Sequence, residues 1–186
     1  MTAIRPVDYE DLDGELRRAV QPRYERLGYL GDFFRYTAHQ PAALIAFDAF
    51  TEACKRAVGP SLAETIALTV ATRLGNDYER NQHERRAVRS GLGRGWVAGV
   101  ERLDPDDTSN PLGEAERAVQ RFVLAAVDPD GAASGARLDD VVAIVGESTA
   151  VAVALLTARF AAHALVSRAL GLRAAVPSIF EDGFDG

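Results

Sequence analysis

The sequence predicts an all-α chain built round a two-helix hairpin, and three observations carry that reading. Apolar residues recur every three or four positions in segment after segment, the spacing of a helix face turned to a core. The segments are separated by short runs of Gly, Pro, Asp, Asn and Ser, which suit turns and caps. Two of these segments meet at Gly75-Asn76, where a residue that tolerates any backbone angle precedes a strong N-cap.

Residues 8–21 carry Leu12, Leu16, Ala19 and Val20 at helical spacing, and Pro22 is expected to stop them. Residues 27–38 read as a short aromatic helix with Tyr29, Phe33, Phe34 and Tyr36. Pro41 suits the first position of a helix over 41–58, whose core stripe is Leu44, Phe47, Phe50, Cys54 and Val58. His39, at its entrance, reads as a capping or surface residue. Over 61–74, Leu62, Ile66, Val70 and Leu74 form an i, i+4 row; Glu64 lies off it and reads as a first-turn acid favoured by the helix dipole. A second helix then runs from Asn76 toward Gly91.

Residues 93–103 turn Trp96, Val97 and Val100 inward, and 103–113 is a connector rich in turn formers. Residues 112–127 are amphipathic, and 128–137, D-P-D-G-A-A-S-G-A-R, form the second long connector and the expected flexible stretch. A helix to 145, a break at 146–148 and a long helix to 170 close the chain. From 150 to 169 that helix is apolar on nearly all faces, which fits a central helix or one covered by another subunit. Charged residues interrupt 138–170, so no membrane partner is expected. Residues 174–186 hold Ile179, Phe180 and Phe184 among acids, as either a docking arm or a frayed tail.

The 186 residues suit a single domain with a sizeable core. A net charge of −6 with no basic stripe argues against nucleic acid as a partner. The one cysteine, Cys54, excludes an intramolecular disulfide and reads as a buried small hydrophobe. With no charged-then-apolar leader, a cytoplasmic location is the expectation. Three well-separated histidines give no zinc pattern, and neither a phosphate-binding glycine loop nor a serine elbow is present. No metal and no cofactor are expected.

The chemistry-bearing residues concentrate in the hairpin. Glu79 is the third helical residue after Asn76, and His83 follows four positions later on the same face. An antiparallel return at Gly75 brings His83 back to Glu64, because eleven residues on one helix nearly match eight on the other at about 1.5 Å each. Two readings stand side by side. In one, Asn76-x-x-Glu79 is a capping box and Glu79–His83 a helix-surface pair. In the other, Glu64, Glu79 and His83 form a cluster in which a histidine exchanges protons near neutral pH, oriented by carboxylates.

The run 60–91 resembles the core of the carboxymuconolactone decarboxylase and alkylhydroperoxidase-D-like family. In the peroxidase branch a helical Glu precedes C-x-x-C, with a His four residues after the second Cys. That Glu falls on Glu64 and that His on His83, but the cysteine positions fall on Asn76 and Glu79, so both thiols are missing. Tyr78-Glu79-x-x-x-His83 instead resembles the cysteine-free branch, which carries Y-E-x-x-x-H and includes decarboxylase-like members. Residues 34–41 and 158–171 extend the likeness.

The resemblance implies an AhpD-like helical fold and a homo-oligomer (dimer, trimer or hexamer). It implies a cofactor-free lyase acting on a small organic acid or lactone, with His83 as the proton carrier and Glu64 and Glu79 orienting it. Tyr78, Asn76 and Arg35 are the expected substrate-binding residues, and Arg35, Arg73, Arg80 and Arg159 are candidates to anchor a carboxylate. The alternative is a non-catalytic, ligand-binding or vestigial member of the same fold. A dithiol peroxidase is disfavoured, since its cycle needs one thiolate to attack and another thiol to resolve.

Overall fold

A computed structural model describes residues 2–181 and residue 184. These residues form nine α-helices and no strand: α1 (Gly14–Leu27), α2 (Asp32–Thr37), α3 (Pro41–Val58), α4 (Pro60–Leu74), α5 (Asp77–Arg89), α6 (Arg94–Glu101), α7 (Glu114–Ala126), α8 (Ser134–Val145) and α9 (Glu147–Leu170). The largest apolar cluster lies where α3, α4, α7, α8 and α9 meet, with Ile66, Ala67, Val119, Val123, Val153 and Leu156 fully buried. A second cluster joins α1, α2 and α3 to Tyr78, and a third joins α4, α5 and α6 to Ile179.

Several boundaries differ from those the spacing predicts. Residues 8–21 are not one helix: a 3₁₀ turn at Tyr9–Asp11 is followed by α1, whose start is reset by Asp13, its carboxylate accepting from the Glu15 amide at 2.9 Å. Pro22 sits inside α1 rather than ending it. It lies on the exposed side, so the carbonyl it leaves unpaired faces water, while Leu16 and Val20 hold the helix to the core. The aromatic segment is helical only over α2, because α1 continues to Gly28. Phe50 is 37% exposed and does not belong to the core stripe of α3. The connector expected over 128–137 is shorter, since α8 already begins at Ser134.

The break before the closing helix falls at Gly146. By length and mean hydropathy (1.7) α9 is able to cross a membrane, yet half of its most apolar window is buried within this fold. It packs on α3, α4, α7 and α8, and it carries Arg159 and His163 inward. The C-terminal segment is a docked arm as far as it is described: Ile179 is fully buried, and Phe184 lies under the Arg85 guanidinium. Residues 182, 183, 185 and 186 of the expected arm lie outside the described residues.

Candidate active site

The hairpin of α4 and α5 turns where Gly75 takes a left-handed conformation, φ 65°, and caps α4 through the carbonyls of Ala71 and Thr72. The Asn76 amide also bonds back to Ala71, which tightens the return. His83 consequently lies against α4, and its Nδ1 donates to Glu64 at 2.6 Å. Glu64 belongs to the second turn of α4, one turn later than a dipole-favoured acid, because the helix starts at Pro60. Its other carboxylate oxygen faces Arg86 Nε at 2.8 Å.

Glu79 does not form the capping box. Asn76 makes no side-chain cap bond, and the Glu79 carboxylate points to α9 instead. Arg159 donates to it at 3.1 Å, His163 Nδ1 closes on its second oxygen, and His83 Nε2 lies 3.7 Å away. A desolvated guanidinium gains more from a carboxylate than a backbone amide does, which explains why the distant partner wins. Arg159 is itself held by Thr51 at 2.8 Å and stacks over Phe160 and Phe47. The result is a chain of charge, buried from Glu64 through His83, Glu79 and His163 to Arg159 and ending at the exposed Arg86.

Charge and burial compete at each member. Burial pushes His83 down, but the Glu64 charge, the Glu64 hydrogen bond and then Glu79 outweigh it, so His83 is held above its ordinary value. Burial dominates at His163, which stays below its ordinary value despite Glu79. Burial would raise Glu79, yet Arg159 and then His163 hold it well below the usual carboxylate range. Glu64 is likewise depressed, burial being overcome by His83 and Arg86. The two rings flank one carboxylate, and their surroundings favour the charged form of His83 and the neutral form of His163.

The remaining sequence candidates are placed unequally. Burial pushes the Tyr78 phenol up to about 12, and its oxygen accepts from the Phe33 amide at 3.0 Å. That oxygen lies 2.9 Å from where a Cβ on Gly31 would stand, so any larger residue there would push the Tyr78 hydroxyl aside. Tyr78 and Asn76 line a cavity of about 490 Å³ together with Ser167, whose hydroxyl is 3.2 Å from His163 Nδ1. Arg35 is not among its lining residues; it bridges Asp8 and Asp32. Arg73 pairs with Asp128, and Arg80 with Asp77 and Glu84, so of the four candidate arginines Arg159 alone reaches the cluster. His39 anchors the N-terminal segment through the Arg5 carbonyl.

The hairpin pattern did not reveal His163. The signal for His163 was present: it follows Arg159 by four residues on an otherwise apolar helix. Cys54 is buried in the main apolar cluster with Val58 and Ile66, and burial raises its thiol. Among the described residues no three His, Cys, Asp or Glu side chains are arranged to hold a metal ion.

No protein-family model matches the sequence, and no curated protein matches it. Solved structures do match. The debrominase Bmp8, without ligand, superposes with a TM-score of 0.80 at 19% identity, covering 95% of this chain and 94% of that one. A cysteine-to-alanine variant of the same debrominase, in complex with 2,3,4-tribromopyrrole, gives 0.79 at 20% identity over 93% and 91%. The alkylhydroperoxidase AhpD core of an uncharacterised peroxidase-related protein from Ralstonia eutropha JMP134 gives 0.78 at 17% identity over 92% and 91%.

The fold is AhpD-like. In this AhpD-like chain the two positions where the peroxidase branch carries thiols hold Asn76, at the lip of the smaller cavity, and Glu79, in the charge chain.

Proposed function

We propose that the chain is a cofactor-free acid–base enzyme of the decarboxylase (lyase) type, acting on a small organic acid or lactone. One observation carries this reading: two histidines share the Glu79 carboxylate while their surroundings push their pKa values in opposite directions. Opposed shifts of this kind separate an acid from a base at one pH. In the proposed step a substrate carboxylate leaves as CO2, and the electron pair of the broken carbon–carbon bond remains on the substrate. The His83 imidazolium donates its proton to that carbon, and the neutral ring recovers a proton from water. Glu64 keeps the ring oriented through Nδ1, which leaves Nε2, 3.7 Å from Glu79, as the nitrogen that gives up the proton.

Thiol chemistry has no support. Asn76 and Glu79 carry no sulfur, and Cys54 has no second thiol to resolve an oxidised intermediate. A second reading, a ligand-binding or vestigial member of the fold, is favoured by one fact. Neither of the two described cavities is lined by His83, Glu64 or Glu79.

The test is CO2 release from a panel of carboxylated lactones and β-keto acids. Turnover by the wild type should fall at least about a hundredfold in His83→Gln and persist in Cys54→Ala. Undiminished release by folded His83→Gln, or loss of turnover in folded Cys54→Ala, overturns the acid–base reading. Absence of release from every member of the panel favours the second reading.

A further inference from the structure

Each oxygen of the two carboxylates in the charge chain already faces a basic side chain, whereas two cations beside them keep donors free. Glu64 takes His83 on one oxygen and Arg86 on the other, and Glu79 takes Arg159 and His163. Arg86 faces Glu64 only through Nε; its terminal nitrogens have no hydrogen-bond partner among the described residues, and the side chain is 54% exposed.

Lys55, on α3, is the more unusual of the two. Its side chain is only 12% exposed, yet the one carboxylate paired with it, Glu52, lies 3.7 Å away, beyond hydrogen-bond distance. Burial and then the charges of Arg86 and Arg159 push Lys55 down to about 8. At neutral pH the amine is therefore still mostly an ammonium, on a side chain only 12% exposed, with no protein acceptor within hydrogen-bond distance among the described residues. An anion that reaches it meets less competition from water than at a fully hydrated lysine, so the attraction is stronger there.

Phe160 ties Lys55 to the proton-carrying histidine. The Lys55 amine lies 5.9 Å from the centre of that ring, the Arg159 guanidinium 4.5 Å, and the His83 ring stands edge-on at 5.3 Å. Of Lys55, Arg86 and Arg159, the two with donors to spare, Lys55 and Arg86, are the more exposed.

We propose that Lys55 and Arg86 form an anion seat at the rim of the Glu64–His83 pair, which binds a carboxylate of a small organic acid. A carboxylate gripped by cations holds on to its charge, so the seat takes a carboxylate that the ligand keeps rather than one it loses. Assigning that ligand as the substrate rests on the acid–base reading of His83; the seat itself does not.

The probe is maleate, titrated calorimetrically into the wild type, Lys55→Gln, Arg86→Gln and Lys55→Arg. The wild type should bind maleate, and each Gln variant should bind at least about tenfold more weakly, the scale of a lost charged hydrogen bond. Lys55→Arg should restore most of the affinity. At pH 8, binding to the wild type should take up protons, seen as a dependence of the heat on the buffer's ionisation enthalpy, because a bound anion favours the ammonium. That uptake should vanish in Lys55→Gln. A wild type that binds no maleate at tens of millimolar overturns the seat, as does unchanged affinity in both folded Gln variants. Failure of the catalytic reading looks different: no turnover on any acid or lactone, with maleate binding retained by folded His83→Gln.

Discussion

At the scale of single residues, His83 shows how burial and charge set a protonation state together. Burial alone would discharge the ring, and the two carboxylates reverse that outcome. A histidine whose folded pKa is raised adds stability that is fully present below its ordinary value of 6.5 and is lost as pH rises through the higher folded value. The depressed carboxylates work the other way. Glu64 and Glu79 stabilise above their ordinary value of 4.5, and that contribution disappears as pH falls through their folded values. His163, held low, adds to the acid-side loss, because the unfolded ring takes a proton before the folded one. In thermal melts across pH 6 to 9, the wild type should therefore lose stability relative to His83→Gln as pH rises. Parallel curves for the two proteins would contradict a raised His83. Alanine is the wrong probe here. Glu64 is 2% exposed, and removing one partner of a buried ion pair costs about 3–5 kcal/mol.

At the scale of elements, α5 is a helix with two working faces. Glu79, His83 and Arg86 point to the charge chain, while Asn81, Glu84 and Arg85 hold the C-terminal arm. Asn81 donates to the Val176 carbonyl at 2.9 Å, Arg85 to that of Pro177 at 2.8 Å, and Glu84 accepts from both Ser178 Oγ and the Ile179 amide at 2.7 Å. Across from Glu84 sits Glu101 of α6. Burial first and then the Glu84 carboxylate push Glu101 up to about 7, with Arg80 opposing and Asp77 assisting. Here the sign runs toward acid: between pH 4.5 and about 7 the folded state keeps a proton that the unfolded chain has released, so stability falls as pH rises and the loss is complete above 7. Glu101→Gln should melt higher than the wild type at pH 8 and level with it near pH 4.5; a pH-independent difference between the two would refute this. The two faces were unequally legible in the sequence. The Glu64–His83 contact was readable because Gly75 and near-equal arm lengths fix the hairpin locally. The destination of Glu79 was not, since the capping-box pattern is local and Arg159 lies 80 residues away. The grip of Glu84 on the arm was hidden for the same reason, its partners being 94 and 95 residues on. Pro22 misled because sequence cannot show that its unpaired carbonyl faces water.

At the scale of the whole molecule, α9 has two characters. Its inner side carries Val153, Leu156, Phe160 and Ala164 to the core, together with the buried Arg159 and His163. Its outer side leaves large apolar side chains in water: Val151 is 56% exposed, Leu155 44%, Leu165 61% and Val166 37%. With exposed Ala158, Ala162 and Ala169, these residues run as 151, 155, 158, 162, 165 and 169, alternating steps of four and three. That is the period of a seam between two helices, and small residues along it let two backbones approach. Phe50 of α3 is also partly exposed, and α3 packs directly beside α9, so the apolar surface is wider than one helix. A second copy of the chain is the expected cover, because a face repeated on both partners would meet itself across a two-fold axis. The same face ends at a cavity of about 800 Å³ lined by Ile4, Tyr36, Leu44, Phe47, Val166 and Leu170, which pairing along α9 would border. Sedimentation at micromolar concentration should therefore show a dimer or larger species, and Leu155→Glu with Leu165→Glu should shift it to a folded monomer, since two like charges would be buried without partners. A wild type that sediments as a monomer at that concentration, or a double variant whose mass is unchanged, would rule out α9 as the contact.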